Sequence, residues 1–178
     1  MGHVDVNLAN GSKLGDYLYD SSYDIIYVDN NDGTDDIKRN AALLADVIKW
    51  VNTQKQTNGS SEPNVVMGIS MGGLVARIAL CQLEKQGYNH QTRLFISMDS
   101  PYNGANIPVG IQAAVLHANT LHFWIGIPGH KVEIKLADYV EDISKGVKLL
   151  NSMAASQMLF YKVVPSGNGY KFQKKNIL

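Results

Sequence analysis

The chain contains one cysteine, Cys81. A single thiol excludes an internal disulfide and any zinc site built on several cysteines. Cys81 falls inside a helical pattern, which predicts a small buried side chain rather than a reactive thiol. An excess of charge is missing too, since 16 basic residues stand against 16 acidic ones. That balance gives no electrostatic footprint for nucleic acid, and no run of like charge forms an interaction tail. The longest apolar runs fall far short of the ~20 residues a membrane-spanning helix needs. The opening residues, MGHVDVNLANG, lack a basic start followed by an apolar stretch, so no signal peptide is read there, and the compartment stays open. Internal repeats and low-complexity segments are absent as well.

What is there suits a globular protein: 178 residues, 45% of them hydrophobic, long enough to bury one core. The expectation is a single domain over 1–178, with a sheet core in 1–103 and an apolar helical lid or cap in 104–160. In the first part, YDIIYVD (Tyr23 to Asp29) is a short apolar run that suits a strand buried on both faces. A turn follows, with Thr34 or Asp35 as the expected N-cap. Ile37, Ala41, Leu44, Ile48 and Val51 then recur at helical spacing. NVVMGI (Asn64 to Ile69) reads as a second strand, and GGLVARIALCQLEKQG as a second helix stopped by Gly87. RLFISMD (Arg93 to Asp99) reads as a third strand. This alternation predicts an α/β fold with a parallel sheet and helices on its faces. Ligands of such sheets sit beyond the carboxyl ends of the strands, where Asp29, Ser70 and Asp99 or Ser100 would emerge.

The second part has a different character. Gly104 to His130 is apolar and aromatic with no clear strand, and Val132, Leu136, Tyr139, Ile143, Val147 and Leu150 mark an amphipathic helix. These helices read equally as a lid over a site or as plain cover for the sheet. The apolar 104–127 region is also a candidate dimer surface.

Between the second strand and the second helix stands Gly68-Ile69-Ser70-Met71-Gly72, the pattern of a nucleophile elbow in its required strand–turn–helix setting. The chemistry needs a serine on a strained turn, its hydroxyl projecting above the sheet. A side chain at either flanking glycine would collide with the neighbouring strand or helix, and Gly73 adds room for helix-on-sheet packing. The Met71 N–H then lies at a helix N-terminus, where it can donate to an oxyanion. The bland alternative is a glycine-rich turn, such as one over a phosphate, but neither a dinucleotide fingerprint nor a phosphate-loop lysine is present.

With these residues the chain resembles the α/β-hydrolase superfamily, and GISMGGLVAR is similar to the elbow of its lipases and esterases. YDIIYVDNNDGTDDIKRNAALL and SMDSPYNGANIPVGIQ are similar to a bacterial lipase-like group distantly related to GPI inositol-deacylase-type esterases. The resemblance covers Tyr23 to Ile111 well and NSMAASQMLFYKV more faintly. It implies a serine hydrolase acting on esters, Ser70 as nucleophile, a small-molecule or lipid ester as substrate, and no cofactor. Where that group often has histidine after the proline of its SPHxG-like segment, this chain has Tyr102.

A serine nucleophile needs a base and an acid, in chain order serine, acid, histidine for this fold. Asp99, ending the third strand, is the best acid available, against a plain reading as a turn-shaping aspartate. Among the histidines, His130 follows IPG in a predicted loop after Asp99 and is the candidate base. His117 and His122 read as lid or core, His90 lies at the opposite sheet edge, and His3 is terminal. Few residues precede YDIIYVD, and no further pair of strands is evident before Leu178. The chain therefore reads as most of a hydrolase with both ends abbreviated. Two alternatives stay open: a hydrolase-fold module that binds a lipid or protein without catalysis, and an acyltransferase using the same serine.

Overall fold

The structure, a computed structural model, describes residues 11–30, 32–127, 130–135 and 141–174, with the backbone alone for 123–127 and 130–134. The chain divides into two compact units, Met1–Asn31 and Asp32–Leu178, and each is described by itself.

In the first unit, α1 (Leu14–Asp20) is closed by the Tyr23 amide, which donates to the Leu18 carbonyl at 3.0 Å. Residues 23–30, expected as a strand, have neither helix nor ladder pairing, and Ile25, Ile26, Tyr27 and Val28 are exposed. An apolar run becomes a strand through the hydrogen bonds and packing of its neighbours, not through its own propensity. Among the described residues of this unit, no strand pairs with this stretch.

The second unit begins with α2 (Ile37–Thr57), β1 (Asn64–Ile69), α3 (Met71–Lys85) and β2 (Thr92–Met98). The N-cap of α2 is Asp36, whose carboxylate accepts from the Lys38 amide at 2.8 Å, and not Thr34 or Asp35. Those two are engaged elsewhere: Thr34 donates twice to Asp32, and Asp35 pairs with Arg39. At the end of α3, Gly87 takes φ +68 and its amide donates to Glu84, a left-handed stop that glycine adopts without strain.

β1 and β2 pair in parallel, with Val66 opposite Phe95 and Gly68 opposite Ser97. This β1–α3–β2 unit is the α/β arrangement the sequence predicts. Val66 and Phe95 face the core formed by Ile37, Ala41, Ala45 and Ile48 of α2 and Val75, Ala79, Leu80 and Leu83 of α3. Alanine at 41, 45 and 79 lets the two helices approach closely. The other face of the pair, Val65, Met67 and Ile69 with Leu94, Ile96 and Met98, is exposed. Cys81 is exposed as well, because it falls outside the buried stripe of α3.

The apolar segment forms α4 (Val109–Ala118) and then a hairpin of β3 (His122–Ile127) and β4 (His130–Lys135), Ile125 opposite Val132. The expected helix from Val132 onward is therefore corrected: His130–Lys135 is strand, and α5 covers Glu141–Leu150. HKVEIK satisfies period 2 as well as period 3.6, and short apolar runs leave that choice to pairing. Leu136 and Tyr139 lie outside the described residues. α6 (Met153–Met158) and a hairpin of β5 (Tyr161–Ser166) and β6 (Gly169–Lys174) follow. Two side-chain amides, Gln112 buried and Gln157 half-buried, fix these late elements. Gln112 of α4 donates to the Ile107 and Tyr161 carbonyls and accepts from the Val163 amide. Gln157 of α6 accepts from the Ile37 amide and donates to Asp36, completing the cap of α2 from the far end of the sequence. Ala154 of α6 enters the α2–α3 core. Among the described residues, no helix is long and apolar enough to cross a membrane.

Two outcomes are expected. Leu83 has no exposed surface, so Leu83→Ala should lower unfolding free energy by about 2–5 kcal/mol in a denaturant titration. The Asp36 carboxyl is held below its ordinary range, first by the Gln157 hydrogen bond and then by the Lys38 amide. Folding lowers this pKa, so the contribution is present above the ordinary carboxylate range and is lost as pH falls through the lowered value. The melting-temperature gap between wild type and Asp36→Ala should therefore narrow in acid; a gap that stays constant down to about pH 2 would contradict the assignment.

Candidate active site

At the carboxyl end of β1 the chain turns sharply into α3. Ser70 occupies the turn with φ 51 and ψ −122, a conformation L-residues rarely adopt and one that costs about 1–3 kcal/mol. Its amide donates to the Met98 carbonyl at 2.8 Å, which locks the turn to the end of β2. Its own carbonyl accepts from the Gly73 amide at 3.1 Å. The side chain is exposed, does not cap α3, and makes no hydrogen bond among the described residues. The hydroxyl thus stands unspent at a helix N-terminus. Met71 is the first residue of α3, and first-turn amides have no acceptor within their own helix.

The glycines of the motif divide unequally. A Cβ at Gly68 would lie 2.5 Å from the Gly72 carbonyl carbon and oxygen and 2.6 Å from the Gly73 nitrogen. A Cβ at Gly73 would overlap the Ser100 hydroxyl and lie 2.6 Å from the Ser97 hydroxyl. At Gly72, by contrast, a Cβ would meet nothing within 4 Å. The expectation that both flanking glycines avoid collision is therefore corrected: Gly68 and Gly73 carry the close approach, and Gly72 does not.

Asp99 follows β2 at the same sheet edge as Ser70, with φ 47. Two non-glycine residues with positive φ thus sit at adjacent strand ends. Beside them Tyr102 donates to the Ser97 hydroxyl at 2.6 Å, Ser97 to the Ser100 hydroxyl at 2.8 Å, and Ser100 to the Met98 carbonyl at 3.4 Å. The Arg77 guanidinium of α3 lies 4.9 Å from the centre of the Tyr102 ring.

None of the histidines is hydrogen-bonded to Ser70 among the described residues. His90 precedes β2 at the amino end of the strands, opposite the turn; its Nδ1 accepts from the Thr92 amide and its Nε2 lies 3.5 Å from Glu84. His117 is exposed in the last turn of α4, edge-on to the Tyr170 ring. His122 opens β3, and His130 opens β4 instead of lying in a loop. The His130 side chain and His3 lie outside the described residues. A cavity of about 310 Å³ lined by Arg77, Cys81, Glu84, His90 and Phe95 lies along α3 and β2, and Ser70 is not part of its wall.

The sequence pattern of the PGAP1-like alpha/beta domain family matches residues 17–177. The chain belongs to that family. No curated protein and no solved structure matches it. Membership gives the chain a hydrolase-type α/β fold and, at that level, a hydrolase-type activity of the esterase or deacylase kind. The match runs through the second half as well, including the β3–β4 hairpin and the Gln112 and Gln157 clamps that periodicity left unread. Sequence reasoning also missed the Tyr102–Ser97–Ser100 relay. Its only trace was the polar SMDSPYNG after a strand, where hydroxyls three and five residues apart reach one another only once the turn is formed.

The glycine geometry makes a graded prediction. Gly68→Ala and Gly73→Ala should each destabilise the protein by about 1–3 kcal/mol or more, through overpacking. Gly72→Ala should be neutral or stabilising by up to about 1 kcal/mol, since alanine favours a helix. Thermal melts of the three variants rank them; equal losses at all three positions would contradict the contact pattern.

Proposed function

We propose that this domain is a serine carboxylesterase or lipase-like hydrolase whose nucleophile is Ser70. One observation carries the reading: an exposed, unengaged hydroxyl on a backbone strained to φ 51, at the start of α3. Strain of this kind persists only where surrounding structure enforces it, and it gathers at functional sites. In the proposed cycle the Ser70 oxygen attacks the ester carbonyl while a histidine takes its proton. The Met71 amide donates to the oxyanion. The histidine then passes the proton to the departing alcohol, leaving an acyl-serine. Water, deprotonated by the same histidine, cleaves that acyl-serine, releasing the acid and restoring Ser70. His130 is the proposed base and Asp99 its proposed orienting acid. The apolar segment from Ile107 to Ile127 is the proposed acyl-binding wall or lid. The cycle uses no cofactor.

The exposed apolar face of β1 and β2 favours a second reading, in which the fold serves as a binding module for a lipid or protein partner. Transfer of the acyl group to an alcohol, in place of water, would use the same serine.

Hydrolysis of short p-nitrophenyl esters separates these readings. Wild type is expected to turn them over, and Ser70→Ala to lose at least about 10³-fold in kcat. Equal rates for the two proteins would refute the enzymatic reading and leave the binding module. An ester product formed from an added acceptor alcohol would identify transfer.

A further inference from the structure

We infer that Tyr102 is a positioning residue for the Ser70 site, acting through a directed chain of hydroxyl groups. The inference rests on the hydrolase reading above.

The chain runs in one sense. Tyr102 donates to Ser97, Ser97 to Ser100, and Ser100 to the carbonyl of Met98. That carbonyl is also the acceptor for the Ser70 amide. One oxygen therefore receives the end of the relay and the backbone of the nucleophile. Each serine hydroxyl accepts once and donates once, so every proton has a defined direction and each bond polarises the next. Removing the first donor leaves the Ser97 oxygen without the bond it accepts, and the bonds beyond it lose that polarisation.

Asp99 stands inside this chain, between Met98, whose carbonyl ends the relay, and Ser100, whose hydroxyl is its last donor. Asp99 holds φ 47. Its left-handed backbone is thus bracketed by two bonded neighbours, as expected where surroundings enforce an unfavourable conformation. The relay also packs on the elbow directly, because the Ser97 and Ser100 hydroxyls occupy the space a side chain at Gly73 would need. The Tyr102 ring also lies 4.9 Å from the guanidinium of Arg77, which stands in the helix that follows Ser70. No hydrogen bond joins Tyr102 to Ser70 among the described residues. The effect of Tyr102 passes through the Met98–Ser100 backbone, which holds the Ser70 amide and carries the left-handed Asp99. A displacement of about 1 Å in such a constellation is enough to slow chemistry strongly while substrate still binds.

The test measures kcat and KM for p-nitrophenyl butyrate, with amide hydrogen exchange of the 98–104 segment. Wild type, Tyr102→Phe and Ser97→Ala are compared, each checked by thermal melting. Both variants should keep a cooperative melt and lose about tenfold or more in kcat with KM within about twofold, because an interaction expressed in the chemical step leaves binding intact. Exchange at the amides of residue 102 and Gly104, which donate to the Ser100 and Pro101 carbonyls, should speed up in both. Wild-type kcat with unchanged exchange in Tyr102→Phe overturns the inference and leaves the hydrolase reading standing. A rise in KM with unchanged kcat also overturns it, since Tyr102 would then contribute to substrate binding. Wild type with no turnover above Ser70→Ala overturns the hydrolase reading and this inference together. Should Tyr102→Phe fail to fold, Ser97→Ala carries the same comparison.

Discussion

The structure depends on how closely the first turn of α3 lies against the carboxyl ends of β1 and β2. At Gly68 and Gly73 backbone and hydroxyl groups occupy the space of the missing side chains. That proximity forces the reversal into the single residue between β1 and α3, and Ser70 accepts the strained dihedral. The bond from the Ser70 amide to Met98 then joins the reversal to β2. Strain at Ser70 is therefore a consequence of helix-on-sheet packing. The same packing seats α3 where its buried stripe meets α2, so core and turn stabilise one another.

Polar side chains do the long-range joining that apolar contacts leave undone. Gln157 reaches from α6 to the first turn of α2, and Gln112 from α4 to β5. Buried or half-buried amides that satisfy two or three partners specify one arrangement, because any slip leaves a donor or acceptor shielded from water without a bond. The Tyr102 relay works on the same principle at smaller scale, ordering a turn that apolar packing does not reach.

How much of this the sequence discloses follows from the range of each interaction. The strand–turn–helix around Ser70 was legible because its signals, an apolar run, spaced glycines and a helical stripe, all lie within a few residues. The stop at Gly87 was legible for the same reason. Residues 23–30 were misread because a strand exists only through its partners, and periodicity does not supply them. HKVEIK was misread because six residues fit both periods and only its pairing with HFWIGI decides. The true cap of α2 depends on Gln157, which no local pattern around Asp36 announces. Gly72 was misjudged because motif logic treats its glycines as equivalent, whereas the Cβ directions differ.

If the turn makes Ser70 an activated nucleophile rather than an ordinary surface serine, a fluorophosphonate will modify it. Treatment of the 178-residue chain, followed by intact-mass and peptide mapping, should give one adduct per chain, on the peptide containing Ser70, and none in Ser70→Ala. Absence of an adduct on wild type, or an adduct on another residue that persists in Ser70→Ala, would contradict that activation.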